Sequence, residues 1–360
     1  IHVVTQKGHG FKPAEEDPRT FHAPPVFERV EGKAVFQQKT AGGSNLLNYT
    51  VHAREAILEQ MEKNELVTCM TAAMCQGNKL EPVRDTHPDR FFDVGICEGH
   101  AVAFAGGQCK AGARPIVAIY STFLQRSYDH IFQEVCLQDL PVTFMLDRAG
   151  LAGPDGPTHH GVFDLGYLRV FPNISIMAPA DEYDMQAMLE FSLNHDSATA
   201  IRYPKGVSPE LNRDPAPVEF GKSEVLSIGK DGTILALGAM VEPSLQAAAK
   251  LKEDGMDVGV VNVRFVKPLD EHVVSDVLRN SPFVVTVEEA ALIGGFGSAV
   301  LEFAAERRLN TSHICRLGIP DIFVEHGERR ELLSDLGLDS EGVYRACRDM
   351  AQDTVNMETV

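Results

Sequence analysis

Apolar residues along this chain recur in two rhythms that take turns. Short apolar runs at 66–71, 91–96, 115–120, 141–146, 174–178 and 199–203 read as strands. Helical spacing separates them. Ala53, Ile57 and Met61 mark one face of a helix over 45–63, and Tyr128, Ile131, Phe132, Val135 and Cys136 mark another at i, i+3, i+4, i+7, i+8. Continuous apolar strands alternating with helices predict α/β architecture with a mostly parallel sheet covered on both faces. The stretch PKGVSPELNRDPAP at 204–217 interrupts the rhythm, and a second α/β unit follows with strands near 233–238, 257–263, 283–287 and 312–317. The boundaries read as a strand end plus connection over 1–45, a first domain over 46–206, a linker over 207–217 and a second domain over 218–360. The connection is rich in Pro, Gly and charge, including Lys12-Pro13-Ala14-Glu15-Glu16-Asp17-Pro18 and Ala41-Gly42-Gly43-Ser44.

Composition narrows the function. The 360 residues allow two domains of ordinary size. A formal net charge of −18 repels phosphate backbones and anionic membranes, so nucleic acid and membrane are not expected partners. Small anionic substrates stay possible, because a few local Arg and Lys can hold a phosphate. No apolar run is long enough to span a bilayer, and the opening Ile-His-Val-Val-Thr-Gln-Lys has no signal-peptide pattern. It reads as part of a strand inside a larger protein. The 7 cysteines are odd in number and lack C-x-x-C spacing, which predicts reduced thiols in a cytosolic protein.

In parallel α/β sheets ligands gather at the carboxyl ends of strands, so the polar residues after each run carry the candidate chemistry. Glu98 stands between a strand and the small-residue helix that begins Ala101-Val102-Ala103. Burial there raises a carboxyl pKa and suits it to proton sharing; a solvated glutamate favouring the helix dipole is the alternative. Phe123 either stacks on a heteroaromatic ring or fills core. Arg148 either grips a phosphate or pairs with Asp147. His159 and His160 lie in a Gly/Pro loop as proton donors or as solvated residues; metal is not expected there, because no third ligand is spaced nearby. Gly294-Gly295-Phe296-Gly297 fits no phosphate-loop pattern and reads as a structural turn.

Together these stretches resemble one family, the 1-deoxy-D-xylulose-5-phosphate synthases of the transketolase-like thiamine-diphosphate enzymes. The resemblance is carried by Lys7-Gly8-His9-Gly10, Phe21-His22-Ala23, FFDVGICEGHAVAFA at 91–105, PIVAIYSTFLQR at 115–126, LPVTFMLDRAGLAGPDGPTHHG at 140–161, 201–206, RFVKPLD at 264–270 and 317–323. It implies a transketolase-like pyrimidine-binding domain followed by a transketolase C-terminal domain. It also implies condensation of pyruvate with D-glyceraldehyde 3-phosphate to 1-deoxy-D-xylulose 5-phosphate and carbon dioxide. That step begins non-mevalonate isoprenoid-precursor synthesis and feeds thiamine and pyridoxal synthesis. Thiamine diphosphate and Mg²⁺ are the implied cofactors, a homodimer the implied assembly, and the cytoplasm (or a plastid stroma) the implied location.

The resemblance also assigns roles. Glu98 matches the glutamate that hydrogen-bonds N1′ of the aminopyrimidine, and Phe123 the aromatic stacked on that ring. Tyr120 and Arg148 match phosphate-binding positions, Asp155 and His159 the loop that orients substrate, and His22 a histidine reaching the site from the connecting segment. Arg126 matches an active-site arginine. Two positions depart from the family: Gly99 replaces a usual Gln, and Lys205 replaces a common Arg, keeping charge but losing bidentate geometry. No G-D-G followed by Asn is present to hold Mg²⁺ and the diphosphate. The resemblance places that segment in a preceding N-terminal domain, on which activity would depend, with residues 1–10 as its final strand. Competing readings are a transketolase or the β-type subunit of pyruvate dehydrogenase, and a non-catalytic partner fragment.

Overall fold

A computed structural model describes residues 1–22, 24, 26–36 and 47–358, with side chains described as far as 352. The chain forms two compact units, Ile1–Asn45 and Leu46–Val360.

In the first unit, a short helix Lys12–Glu16 and the antiparallel hairpin of β1 (Phe27–Val30) and β2 (Lys33–Phe36) surround Phe11, Phe21, Phe27 and Phe36. Residues 1–10 pair with no strand among the described residues, and Ile1, Val3 and Val4 are exposed. The Ala41-Gly42-Gly43-Ser44 connection lies outside the described residues.

The second unit holds the predicted pair of sheets. The first contains β3 (Val67–Thr71), β4 (Phe91–Asp93), β5 (Arg114–Tyr120), β6 (Thr143–Asp147), β7 (Ile174–Met177) and β8 (Ala198–Arg202). The second contains β9 (Glu224–Ser227), β10 (Gly232–Ala236), β11 (Val258–Asn262), β13 (Val284–Ala291) and β14 (Ile314–Ile319). Between β11 and β13 the chain returns to the first sheet as β12 (Phe265–Lys267), antiparallel to β7, giving a seven-stranded order β12-β7-β8-β6-β5-β3-β4. The second sheet is five-stranded, β14-β13-β10-β11-β9, and parallel except for β9.

Strand β5 shows why these runs form central strands. Ile116 and Ala118 face one core, with Ala53, Ile57 and Met61 of helix Tyr49–Lys63; Val117 and Ile119 face the other, with Ala101, Val102 and Ala105 of helix Glu98–Lys110. A strand buried on both faces needs apolar residues at every position. Helix Tyr49–Lys63 is capped by Asn48, whose side chain accepts from Val51 N. The predicted helix around 128–136 is real but changes pitch, becoming a π-helix over Ile131–Cys136. Its wider turn buries Ile131, Val135 and Cys136 and leaves Tyr128 and Phe132 exposed against Phe171.

A buried ionic cluster joins the sheets. Arg213, from the linker, donates to Asp181 (2.7 Å), Asp184 (3.2 Å) and Glu224, and Arg264 pairs with Asp184 (2.8 Å) and Glu224 (3.1 Å). Asn262 Nδ2 donates to Asp184 and Glu224, and Ala216 N to Glu224. Burial pushes the Arg213 pKa down, but the facing Asp184 and Asp181 more than offset it and the net shift is upward. Burial, with the neighbouring Asp184 charge, raises the Asp181 pKa despite the opposing pull of Arg213.

The Gly294-Gly295-Phe296-Gly297 turn begins helix Phe296–Glu306, and its free N–H groups are taken from inside the protein. Glu288 Oε2 accepts from Phe296 N at 2.6 Å and Oε1 from Gly297 N at 2.8 Å. A Cβ on Gly295 would lie 2.2 Å from Glu288 Oε2, so glycine is needed for that approach. The carboxylate occupies the place an anion would take.

Two predictions follow from these buried charges. Arg264→Met leaves Asp184 and Glu224 short of a cation and is expected to cost about 3–5 kcal/mol, read as a lower urea midpoint with unchanged m-value; a midpoint equal to the parent's would mean that Arg213 alone suffices. Burial raises the Glu288 pKa from 4.5 to about 7. Its contribution to stability is therefore fully present below pH 4.5 and lost as pH rises through about 7. The stability of the parent relative to Glu288→Gln should fall by about 3 kcal/mol across that window, and a flat difference between the two urea-derived curves would count against it.

Candidate functional site

The site begins where β4 stops early. The apolar run 91–96 forms a strand only as far as Asp93, whose carboxylate accepts from Ala73 N (2.8 Å) and Gly95 N (3.1 Å). Gly95 takes φ +72, a left-handed turn that favours glycine, and the chain enters helix Glu98–Lys110. Glu98 is its first residue, at 4% exposure. Its hydrogen-bond partner among the described residues is Arg126, with Nη1 at 3.3 and 3.4 Å from the two carboxylate oxygens. An arginine that is itself mostly exposed leaves part of the carboxylate's accepting capacity unused.

Beside Glu98 the unusual Gly99 has a local cause. A Cβ there would stand 2.7 Å from His130 Cε1, so the imidazole occupies the space a side chain would need. His130 Nδ1 is buried with no hydrogen-bond partner among the described residues.

At the end of β5 the chain turns through Ser121–Leu124. Phe123 is half-buried, stacked on Tyr120 at 5.8 Å and edge-on to His159 at 5.2 Å; the Arg126 guanidinium lies 5.8 Å from its ring centre. Ser121 Oγ donates to Asp164 (3.0 Å), which also holds Arg202, so the turn is tied to the buried interior. Tyr120 needs Gly77: a Cβ at that residue would fall 1.5 Å from the phenolic oxygen. Burial pushes the Tyr120 hydroxyl up to about 12.

Arg148 follows β6 with φ +57, a conformation uncommon outside glycine. Its guanidinium carbon lies 3.6 Å from the Tyr120 ring centre, and Nη1 donates to Gly77 O at 3.3 Å. Beneath it, Asp147 is fully buried, accepts from Arg148 N and has its pKa raised by burial. Gly150 and Gly161 close the loop base with reciprocal N–H to carbonyl bonds of 2.8 Å. On this loop Lys205 Nζ donates to Asp155 at 2.7 Å. Burial works to raise the Asp155 pKa, yet Lys205 more than offsets it and the net shift is downward. Burial holds the His159 imidazole below its ordinary value, against the pull of Asp155. His160 is used structurally, its Nδ1 accepting from Ala152 N at 2.9 Å.

The structure thus brings Glu98, Tyr120, Phe123, Arg126, Arg148 and His159 into a connected set through the contacts above, with Asp155 and Lys205 paired on its flank. His22 lies in the first unit, with Nδ1 2.8 Å from Lys7 Nζ. Sequence reading missed Gly77 and Asp164 and gave no positioning role to Ser121 or Glu289, whose partners are far away along the chain.

Thiamine diphosphate is the group the resemblance implies. The half-buried Phe123 and the under-used Glu98 carboxylate suit its aminopyrimidine. The diphosphate and its metal fit less well, because no group of three or more His, Cys, Asp or Glu among the described residues could hold a metal ion.

Residues 47–210 match the transketolase pyrimidine-binding domain, and 221–343 the transketolase C-terminal domain. The chain is 56% identical over 98% of its length to the 1-deoxy-D-xylulose-5-phosphate synthase of Rhodopirellula baltica. It is 48% identical over 98% to synthase 2 of Geobacter sulfurreducens. It covers 55% and 56% of those proteins, so it spans about half the length of the curated relatives it matches. A solved structure described as a split-gene transketolase, inactive beta4 tetramer, superposes with a TM-score of 0.76 at 30% identity, covering 84% of this chain and 98% of that one. A Pichia stipitis transketolase shares the fold at TM-score 0.73 and 18% identity, covering 87% of this chain and 47% of that one. The chain belongs to the transketolase family, carries its pyrimidine-binding and C-terminal domains, and falls with the 1-deoxy-D-xylulose-5-phosphate synthases.

Proposed function

We propose that this chain, within a protein of its relatives' length, serves the decarboxylative condensation of pyruvate with D-glyceraldehyde 3-phosphate to 1-deoxy-D-xylulose 5-phosphate. The observation that carries this reading is the buried Glu98 carboxylate set near the half-buried Phe123 through Arg126. Thiamine diphosphate, when bound, supplies the nucleophilic carbon at which pyruvate loses carbon dioxide. Glu98 would share a proton with, or donate one to, the pyrimidine ring nitrogen, and Arg126 holds the carboxyl group in place. Phe123 offers the ring a stacking partner, worth about 0.5–1.5 kcal/mol beyond the area it buries. The diphosphate and Mg²⁺ would be held by the remaining half of a protein of that length.

Arg148, braced by Tyr120 and Asp147, holds the phosphate of the aldehyde. Lys205 helps once it is drawn from Asp155, a competition that weakens its grip relative to an arginine. His159, kept neutral near pH 7 by burial, takes or returns a proton at the substrate oxygen, with its Nδ1 2.9 Å from Thr158 Oγ1. We further infer a homodimer and a cytosolic location; no helix among the described residues is long and apolar enough to cross a membrane.

By itself this chain is expected to be inactive, as the split-gene transketolase structure is described. Substrates distinguish the alternatives: a transketolase would use ketose phosphates in place of pyruvate, and a non-catalytic fragment would use neither. In a protein of the relatives' length, Glu98→Ala is expected to lower kcat for carbon dioxide release from pyruvate and glyceraldehyde 3-phosphate by about 10²–10⁴ while the circular dichroism stays native. Full turnover in that variant would remove Glu98 from the chemistry.

A further inference from the structure

Resting on the synthase reading, we propose that the C-terminal domain is part of the acceptor site, with Glu289 and Arg329 acting as positioning residues that hold the loop 150–161 for the phosphorylated aldehyde. The loop carries Asp155 and His159 and has little regular structure beyond the short turn Gly153–Asp155. A loop of this kind samples many conformations unless its backbone is tied down. The ties come from the second sheet and the segment after it.

Glu289, on β13, is 3% exposed. Its Oε1 accepts from Leu151 N at 2.9 Å, at the first step of the loop. The same oxygen accepts from Arg329 Nε at 3.0 Å, and Oε2 accepts from Arg329 Nη2, a two-point pairing that fixes the carboxylate plane. Gly150 makes the approach possible: with φ +87, its missing Cβ would lie 2.6 Å from Glu289 Cδ. Arg329 also packs on the other flank of the site. A Cβ on Gly206, next to Lys205, would meet its Nη1 at 3.1 Å. Burial pushes the Arg329 pKa down, but Glu289 more than offsets it, so the net shift is upward and the guanidinium stays charged.

The far end of the loop is held by the same segment. His160 Nε2 faces Glu325 O at 3.3 Å while its Nδ1 receives Ala152 N, so the imidazole bridges loop and C-terminal domain as one tautomer. Two loop glycines with positive φ sit against this segment: a Cβ on Gly153 would be 3.4 Å from Gly327 O, and one on Gly156 3.3 Å from His326 Cβ. Independent contacts at 151, 153, 156 and 160 therefore converge from residues 289 and 325–329. Such a clamp has a particular signature. It should alter use of the aldehyde, which meets the loop, more than use of pyruvate, whose chemistry is set by Glu98 and Phe123.

The test uses Arg329→Met, the conservative Arg329→Lys, and Arg330→Met as a control at an exposed neighbour. Hydrogen exchange on the chain itself is expected to speed up at least tenfold for amides of 150–161 in Arg329→Met, and less in Arg329→Lys. Amides of β5 and the Arg330→Met control should be unchanged. In a protein of the relatives' length, Arg329→Met should raise KM for glyceraldehyde 3-phosphate by about 10–100-fold, with KM for pyruvate within twofold of the parent. Unchanged loop exchange, or equal rises in both KM values, would overturn the clamp. A parent protein that never consumes the aldehyde, while its Arg329→Met variant shows faster loop exchange, would defeat the synthase reading and uphold the clamp.

Discussion

Charge that has been removed from water must be answered by charge, and the cluster of Arg213, Arg264, Asp181, Asp184 and Glu224 imposes that demand on the whole second unit. Asp181 caps helix Glu182–Asn194 and Asp184 sits in its first turn, while Glu224 lies on β9 and Arg264 just before β12. Arg213 comes from the linker. No one of these elements can shift without stranding a partner. The linker is therefore a fixed structural member, and the two sheets are registered against each other closely enough for residues on both to share one site.

That registration explains why the site is built from distant pieces. Ser121 reaches Asp164, Asp164 reaches Arg202, and Arg202 reaches the Glu289 carbonyl at 3.0 Å. The turn that presents Phe123 is thus linked through buried polar contacts to the second sheet. Buried networks of this kind need every member satisfied, and each supplies rigidity that a loop at a strand end would otherwise lack.

Much of this was legible in the chain. Continuous apolar runs such as 115–120 and 141–146 announced central strands, because burial on both faces leaves no position for a polar residue. Glu98 stood out for the same reason, as a carboxylate where apolar character prevails. What the pattern could not reveal were contacts with no periodicity. Strand β12 is too short to show a period and owes its existence to the β7 edge. Gly77 and Gly150 look like ordinary loop glycines until Tyr120 and Glu289 are seen against them. Gly99 looked like a simple loss, but the His130 ring occupies its space.

The strand exchange at β12 also bears on biosynthesis. Met177 and Ile176 pair with Phe265 and Lys267, residues made much later in translation. Until those residues leave the ribosome, β7 is an open sheet edge with unpaired N–H and carbonyl groups, able to recruit the wrong strand. Residues from 46 onward can gather their helices and most of their sheet as they emerge. The last hydrogen bonds along that edge must wait for β12 to emerge, so the first sheet gathers most of its strands well before it is closed.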